Sequence, residues 1–259
     1  MKVMSCNVRS DNPTADQDNQ WAYRRDLCCA YIADVGADII CGQEFKYEQY
    51  ADVAAALPDY DSYGLADEVL NRAPRNAIFW RSARFELISA SGYWLSKTPH
   101  VPGSKSWDSD CIRLANWVRL ADRKSGVEFR VINTHLDHIS QLARERQMEM
   151  VLEDAAVFPE EYPQILTGDL NVDATNPVID EIKRAGWSDT HEAVHGPEDP
   201  GFTFHRFRGP EAHEETGKID WVFARGQIVA EDADILREDR DGRFPSDHYF
   251  ITADLELGG

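Results

Sequence analysis

Short runs of apolar, β-branched and aromatic residues recur along the whole chain, and longer polar stretches separate them. Runs of this length and composition are typical of β-strands. The predicted strands are Val3–Asn7, Asp38–Gln43, Asn76–Trp80, Phe85–Ser89, Leu114–Ala121, Glu128–Thr134, Gln164–Thr167, Ile219–Ala224 and His248–Leu255. The chain is therefore expected to be rich in β-sheet from its beginning to its end.

Helical signals lie between some of these strands. Apolar positions within 28–35 repeat at helical spacing, and Gly36 is a suitable stop. A second helix is predicted over about 140–156. Asn176 with Pro177 has the pattern of an N-cap followed by proline at the first helical position, which opens a third helix to about residue 185.

Many strands with few helices predict a layered α/β or α+β architecture in which helices cover the outer sheet faces. Linkers, repeats and low-complexity tracts are absent from the sequence, so residues 1–259 are expected to form one domain. The irregular stretches 96–111 and 191–217 are long for plain connections, and such loops in a compact domain are often functional.

The charge of the chain limits the classes of molecule that it is expected to bind. It has 42% hydrophobic residues, 46 acidic side chains against 27 basic ones, and a formal net charge of −19. Binding to nucleic acid rests largely on Lys and Arg that neutralise phosphates, and an acidic protein repels a polyanion at long range. A small phosphorylated partner is therefore favoured over DNA or RNA.

Cysteine usage and hydropathy suggest a compartment. The five cysteines show no C-x-x-C spacing and are interpreted as mostly reduced core thiols. The sequence has no apolar run of transmembrane length and opens directly on a strand-like run without a signal-peptide pattern. We therefore expect a cytoplasmic monomer that does not bind membranes.

Four polar segments at predicted strand ends carry the candidate chemistry: Gln43–Glu44, Asn133–Asp137, Gly168–Asn171 and Ser246–His248. Strand ends that meet at one sheet edge bring distant residues into one site. Carboxylate, amide and imidazole groups together suit a hard cation, a phosphate and a water. The pattern predicts metal-assisted phosphoester hydrolysis.

Each polar segment also has a structural interpretation. Asp169 with Asn171 fits an Asx-type turn as well as it fits a site. Glu44 and Asp220, taken alone, are more often solvated, and a single histidine such as His135 is more often structural. Taken together these interpretations weaken, because several strand ends carry complementary groups. The sequence also lacks a G-x-S-x-G, H-E-x-x-H, P-loop or dinucleotide-binding motif.

Six elements in a fixed order resemble the endonuclease/exonuclease/phosphatase superfamily, which has the DNase I-like fold. They are Ser5–Val8, Cys41–Glu44, Asn133–Leu136, Gly168–Asn171, Lys218–Asp220 and Pro245–His248. The resemblance covers essentially the whole chain, and six elements in order are highly specific. It implies an α/β fold, a four-layer α-β-β-α sandwich with two central β-sheets and the site at one edge.

The resemblance also implies roles for individual residues. Mg²⁺ or Mn²⁺ would be held chiefly by Glu44, with Asn7 and Asp247 close by. Asp169 resembles the residue that orients or activates the attacking water, and Asn171 the amide that contacts phosphate. The two histidines have complementary roles: His248, oriented by Asp220, resembles the imidazole that stabilises the transition state, and His135 the second phosphate-side histidine.

Within the superfamily the chain is similar to a bacterial group of short metal-dependent hydrolases. It lacks the basic inserts of the DNA-repair members and the apolar hairpin of the sphingomyelinase-type members. Arginines and aromatics of the two long loops and of the adjoining strand are candidate substrate contacts: Arg113, Arg206, Arg208, Phe204 and Trp107. A nuclease acting on DNA or RNA and a non-catalytic binding module are the alternative functions.

Overall fold

The structure is a computed structural model, and it describes residues 1–66, 68–212 and 217–258. Two six-stranded sheets form the centre of this part of the chain. The strands are β1 (Lys2–Asn7), β2 (Ile39–Gln43), β3 (Tyr60–Tyr63), β4 (Ile78–Arg81), β5 (Phe85–Trp94), β6 (Leu114–Asp122), β7 (Glu128–His135), β8 (Gln164–Asp169), β9 (Ser188–Asp189), β10 (Asp220–Arg225), β11 (Ile228–Leu236) and β12 (Phe250–Leu257).

Six α-helices connect these strands in the described ranges, together with three short 3₁₀ turns. The helices are α1 (Pro13–Asp16), α2 (Trp21–Val35), α3 (Tyr47–Ala56), α4 (Gln141–Ala155), α5 (Pro177–Arg184) and α6 (Thr190–His195). The longer helices cover the outer sheet faces: α2 and α3 pack on the first sheet, and α4 and α5 on the second. The predicted four-layer α-β-β-α sandwich is confirmed.

Both sheets have the same arrangement of strand directions. The first has the order β11-β12-β1-β2-β4-β3 and the second the order β5-β6-β7-β8-β10-β9. In each, one parallel pair lies at the centre (β1 with β2, β7 with β8), and all other neighbours are antiparallel. Each sheet therefore gathers, at one edge, the ends of its parallel pair and the starts of the two antiparallel strands that flank the pair.

The central strands are apolar on both faces because both faces are covered. In β1, Val3 packs between the two sheets, whereas its neighbour Met4 packs under the helices. Alternate residues of a strand point to opposite faces, so a strand in a four-layer sandwich needs apolar residues at successive positions. This explains why the sequence shows continuous apolar runs there.

Polar side chains join the two sheets close to the edge that carries the candidate site. Asn133, which is fully buried, donates its amide to the carbonyl oxygens of Gly42 (2.9 Å) and Ala77 (3.1 Å) and accepts from Gln43 (2.7 Å). These bonds link β7 to β2 and to the residue before β4. Asn133 and Gln43 therefore hold the sheets in register rather than reach the cleft.

Several elements were not predicted, each for a physical reason. Helix α3 buries just Gln49 and Val53, so its apolar stripe is too thin to detect. Strand β11 is an edge strand with several acidic residues and a bulge between Ala230 and Asp232, features that protect an edge and weaken the strand signal. Helix α2 begins seven residues before Cys28 because the Asp11 carboxylate accepts the Trp21 N–H at 2.8 Å.

All five cysteines are free thiols, and Cys6, Cys28 and Cys41 are buried in the core. Among the helices that the structure describes, none is both long enough and apolar enough to cross a lipid bilayer.

A buried ion pair fixes the start of β10. Lys218 Nζ lies 2.8 Å from both carboxylate oxygens of Asp189 and 4.0 Å from the ring centre of Trp221. The side chains of Lys218 and Asp189 are 4% and 7% exposed. Removing one member of such a pair leaves an uncompensated buried charge.

Lys218→Met is therefore expected to lower the free energy of unfolding by about 3–5 kcal/mol, measured by denaturant titration. Lys183→Met is the matched control, because Lys183 pairs with Glu192 at the surface, where both side chains are about 40% exposed. The control should change stability by less than about 1 kcal/mol. Equal losses in the two variants would contradict the structural role given to Lys218.

Candidate active site at the shared sheet edge

Sheet topology brings the predicted residues together. In the first sheet, Asn7 at the end of β1 pairs with Gln43 at the end of β2, directly before Glu44. In the second, His135 at the end of β7 pairs with Asp169 at the end of β8, which pairs in turn with Asp220 at the start of β10. The strand ends of both sheets meet across a single cleft.

Glu44 is held in one orientation by its surroundings. One carboxylate oxygen accepts from the Ser10 N–H (2.8 Å) and the other from the Asn7 amide (3.1 Å). Its backbone lies in the left-handed region (φ 68°), and the Ser10 hydroxyl donates to its carbonyl oxygen. Burial raises the pKa of Glu44, but the bonds from Ser10 and Asn7 outweigh this effect, so the pKa is lowered and the carboxylate stays ionised.

Asp169 lies at the centre of the cleft. Its Oδ2 accepts from the Asn7 amide (2.9 Å) and lies 3.3 Å from His135 Nε2 and 3.7 Å from His248 Nε2. Gly168 makes this possible, because a Cβ at that position would come within 2.1 Å of the Thr134 carbonyl oxygen. Burial and the charge of Asp220 raise the pKa of Asp169 to about 7. One carboxylate therefore contacts groups from both sheets.

His248 is oriented by a buried carboxylate. Its Nδ1 lies 2.8 Å from Asp220 Oδ2, and both side chains are almost completely buried. Burial lowers the pKa of His248, but Asp220 and then Asp169 raise it to about 10, so the ring is a cation at neutral pH. The Phe204 ring packs against the imidazole with 4.9 Å between ring centres. Asp220 is therefore a buried partner of His248 and not a surface acid.

His135 and Asn171 form a second polar pair. The Asn171 amide lies 2.9 Å from His135 Nε2 and donates to the Leu136 carbonyl oxygen (3.1 Å). The Asn171 N–H donates to Asp169 Oδ1 at 3.0 Å, which is the Asx-type turn that the sequence also allowed. Burial and nearby Arg113 lower the pKa of His135. In this arrangement Asn171 positions His135, and its contact with phosphate stays a prediction.

The donor set fits a divalent cation of the Mg²⁺ type. Glu44, His135 and Asp169 each offer a ligand atom within 4.8 Å of the others, and the two carboxylates of this group supply the oxygen atoms that such a cation prefers. Asp247 is buried, and burial raises its pKa. For Asp169 and Asp247 the effect of burial exceeds that of the neighbouring positive groups, and an oxygen-seeking cation would supply the remaining charge.

Asn7 lies beside Glu44, next to the predicted metal site. Its amide nitrogen faces the carboxylates of Glu44 and Asp169, and its oxygen accepts the Arg9 N–H at 2.9 Å. Asn7 thus orients two carboxylates, and a direct bond from it to a metal stays a prediction.

A cleft of about 500 Å³ opens above these groups. Besides the acids and histidines, four arginines line it: Arg9, Arg75, Arg113 and Arg206. Arg9 lies 3.7 Å from Asp247 and 2.9 Å from Asp16. The Arg206 guanidinium lies 5.3 Å from the Phe204 ring centre. Despite the net charge of the chain, the cleft is lined by both signs of charge.

Arg113 has unused hydrogen-bonding capacity. Its Nη2 lies 3.4 Å from His138 Nδ1, whereas its buried Nε has no hydrogen-bond partner in the described part of the chain. An orphaned buried donor is costly, and a ligand acceptor is one way to satisfy it. Arg113 is therefore well placed to bind an anion.

The predicted substrate contacts divide into two groups. Arg113, Arg206 and Phe204 line the cleft, whereas Trp107 and Arg208 do not. The Trp107 carbonyl oxygen instead accepts from the Ser140 hydroxyl (2.9 Å) and ties its loop to the start of α4. Phe204 packs against His248, so it supports the imidazole as well as lining the cleft.

Sequence reasoning missed Arg9, Ser10 and Arg75. Arg9 and Ser10 directly follow the Ser5–Val8 element, and adjacency to a strand end was the signal available. Arg75 directly precedes the predicted strand that starts at Asn76. Because this strand runs antiparallel to β2, its start lies at the same sheet edge as the end of β2, and a polar residue before it was the signal available.

The two residues of the His248–Asp220 pair should respond differently to substitution. His248→Ala removes the imidazole and is expected to lower kcat by at least about 100-fold. Asp220→Asn keeps the ring but loses its orientation and charge partner, so its loss should be smaller. Steady-state kinetics on variants with native circular dichroism spectra test this order. An Asp220→Asn variant slower than His248→Ala would contradict it.

Two mixed sheets between helical layers, with carboxylate, amide and imidazole groups at their common edge, define a protein of the DNase I-like fold. The chain belongs to the endonuclease/exonuclease/phosphatase family, whose model matches residues 4–248. Members of this family hydrolyse phosphoester bonds and typically depend on a divalent metal. The predicted membership is confirmed.

Solved structures support the assignment over the full length. A family protein of Bacteroides vulgatus is 31% identical, with a TM-score of 0.89 and coverage of 99% of this chain and 98% of the other. A mannosyl-6-phosphatase of Bacteroides thetaiotaomicron is 29% identical, with a TM-score of 0.87 and coverage of 99% and 100%.

A curated relative matches over a shorter range. The CCR4-Not complex 3'-5'-exoribonuclease subunit Ccr4 of Aspergillus clavatus is 26% identical over 136 residues. That match spans 45% of this chain and 20% of the relative's length.

Proposed function

We propose that this protein is a divalent-cation-dependent phosphoesterase that acts on a small phosphorylated molecule, with a sugar phosphate as the favoured class. The observation that carries the proposal is the composition of the cleft. Asp169 lies between His135 and His248 at its base, and arginines surround the same space. Acid/base, electrostatic and anion-binding groups thus face one ligand-sized volume.

Each residue has a role in this reaction. Asp169 orients the attacking water and accepts its proton, because its Oδ2 lies at the centre of the polar groups. His248, held as a cation by Asp220, donates to a phosphoryl oxygen whose charge grows in the transition state. His135 lies beside it and supports the same phosphate.

A divalent cation would be held by Glu44 with Asp169 and Asp247 nearby. When bound, it would neutralise phosphate charge and polarise a phosphoryl oxygen. Asn7 and Ser10 prepare this site by fixing the Glu44 carboxylate before any ligand arrives.

The substrate class follows from size and charge. A volume of about 500 Å³ suits a small molecule. Arg113 offers an orphaned donor, and the exposed Arg206 adds a further positive charge to the lining of the cleft. The full-length similarity to a mannosyl-6-phosphatase supports a phosphorylated sugar. The net charge of −19 opposes long polyanions.

A substrate panel in the presence of Mg²⁺ or Mn²⁺ tests the proposal. It should contain hexose phosphates, other phosphomonoesters, small phosphodiesters, an oligoribonucleotide and plasmid DNA, compared by kcat/KM. Small phosphoesters are expected to be turned over, with weak or no cleavage of nucleic acid at physiological salt. A nucleic acid preferred by tenfold or more would overturn the substrate class and revive the nuclease alternative.

Arg113→Ala separates anchoring from chemistry on the best substrate of that panel. Loss of a charged hydrogen-bond donor is expected to raise KM by about tenfold or more and to lower kcat less. Arg146→Ala is the matched control, because Arg146 is exposed on α4 and pairs with Glu149 away from the cleft. A kcat loss larger than the KM change would show that Arg113 acts in the transition state instead.

A further inference from the structure

A second group of metal-binding side chains lies at the rim of the cleft. Asp110, Cys111 and His138 each offer a ligand atom within 4.8 Å of the other two. Cys111 Sγ lies 3.6 Å from Asp110 Oδ2, and His138 Nε2 lies 3.8 Å from the same oxygen. The proposed chemistry of the active site uses none of these three side chains.

The spacing is close to that of a tetrahedral metal centre. With Zn–S bonds of about 2.3 Å and Zn–N and Zn–O bonds of about 2.0–2.2 Å, a tetrahedral centre places an oxygen ligand about 3.5–3.7 Å from a sulfur and about 3.3–3.5 Å from a nitrogen. The Cys111 Sγ–Asp110 Oδ2 distance fits the first range, and the His138 Nε2–Asp110 Oδ2 distance exceeds the second by about 0.3 Å. A rotation of the His138 ring that brings Nε2 closer to both other ligand atoms would complete a three-ligand face, and a fourth position would remain for water.

A buried carboxylate holds the two ligand-bearing segments together. Asp137 Oδ2 accepts from the N–H groups of Asp110 (2.8 Å) and Cys111 (3.2 Å) and from the Ser109 hydroxyl (2.9 Å). Its other oxygen accepts from the N–H of Ser140 at 2.8 Å. His138 directly follows Asp137. The Asp137 side chain therefore fixes both the loop that carries Asp110 and Cys111 and the segment after β7 that carries His138. Such support prepares a site before a metal binds.

The chemistry of these ligands differs from that of the active site. A thiolate and an imidazole with one carboxylate select Zn²⁺ or a similar transition metal, whereas Glu44, Asp169 and Asp247 select hard cations. We propose that Asp110, Cys111 and His138 form a second metal site for Zn²⁺ or Co²⁺ at the rim of the cleft. On binding, the Cys111 thiol proton is released to solvent and a metal–sulfur bond forms.

Metal binding at this site would affect the substrate cleft through the contact between His138 and Arg113. A metal on Nε2 fixes the proton of the neutral ring on Nδ1. Nδ1 then no longer accepts the hydrogen bond from Arg113 Nη2, which lies 3.4 Å away. Arg113 thereby loses a partner that positions its guanidinium, so metal at the rim should raise KM for the phosphorylated substrate. This consequence rests on the proposed function of Arg113.

Titration of the metal-stripped full chain with Co²⁺ tests the site directly. The wild-type protein should show a near-ultraviolet sulfur-to-cobalt charge-transfer band. Cys111→Ser should lack it, while Cys29→Ser, at a partly buried cysteine outside the cluster, should retain it. Glu44→Gln should also retain it, because the active-site ligands are separate.

Competition for Zn²⁺ against a chromogenic chelator measures affinity. Cys111→Ser and His138→Asn should each weaken the rim site by at least about 100-fold, since even second-shell changes cost about 10–100-fold. A band that is absent from the wild type, or that persists in Cys111→Ser, would overturn the site. Equal Zn²⁺ affinities for wild type and both variants would do the same.

The coupling to substrate has its own measurement. At saturating Mg²⁺, Zn²⁺ should raise KM in the wild type and leave KM unchanged in Cys111→Ser. Equal KM changes in both proteins would overturn the coupling through Arg113. If no phosphoester is turned over, the proposed function fails, but the cobalt band still decides the metal site.

Discussion

Asp169→Asn is expected to lower kcat by at least about 100-fold while leaving the fold intact. A loss of this size is expected when a group that transfers a proton in the transition state is removed. Asp169 contacts Asn7, His135 and the Asn171 N–H, so one substitution removes proton acceptance and disturbs the groups around it. Because asparagine preserves shape, packing should survive. Steady-state kinetics on the best small phosphoester measures the effect.

The matched control is Asp180→Asn, which changes an exposed aspartate in the first turn of α5. It should keep kcat within about twofold, because Asp180 does not line the cleft. It should also leave the fold stable, because surface substitutions change stability by about 0.5 kcal/mol or less. Circular dichroism and unfolding midpoints must match between the variants. A near wild-type kcat for Asp169→Asn would mean that the site is misplaced.

Removal of divalent cations is expected to abolish hydrolysis, and Mg²⁺ or Mn²⁺ should restore it. The reason is the buried carboxylate cluster, in which the effect of burial exceeds that of the nearby positive side chains, so that a cation is needed for the remaining charge. Glu44→Gln should raise the Mg²⁺ concentration for half-maximal activity by at least about tenfold, because a direct ligand is lost. Activity assays after chelation and metal titration give both results.

Calorimetric titration of Mg²⁺ provides a readout that does not depend on turnover. Binding to the wild type and weaker binding to Glu44→Gln would agree with the predicted ligand. Full activity in excess chelator would remove the metal-assisted chemistry. Equal Mg²⁺ affinity in the two proteins would show that Glu44 is not a ligand of the metal. Binding without turnover of any phosphoester would instead support the non-catalytic alternative.

Much of the fold was predictable because the central strands are buried on both faces. Val3–Asn7 and Gln164–Thr167 are short, largely apolar runs, and polar groups at or just after their ends meet in the cleft. Edge elements were less predictable. Strand β11 alternates acidic and apolar residues around a bulge, and β3 and β9 are short and derive their stability from their partners.

The site was predictable at strand ends and less so elsewhere. Asp169, His248 and Asp220 were identified because a polar group after or before an apolar run is visible in sequence. Ser10 binds the Glu44 carboxylate through its backbone N–H, which every residue but proline provides, and its hydroxyl bonds to the Glu44 carbonyl oxygen, so its identity held little signal. The role of Arg113 depends on an orphaned Nε that can be recognised solely in three dimensions.

The position of β12 has a consequence for biosynthesis. This strand pairs with β1 on one side and β11 on the other, so one edge of β1 stays open until residues 250–257 have left the ribosome. His248 and Asp247 arrive with the same segment. A nascent chain therefore exposes an aggregation-prone strand edge until this segment is made, and it acquires the His248 imidazole after Glu44, His135 and Asp169. Chaperone dependence should fall sharply once that segment emerges.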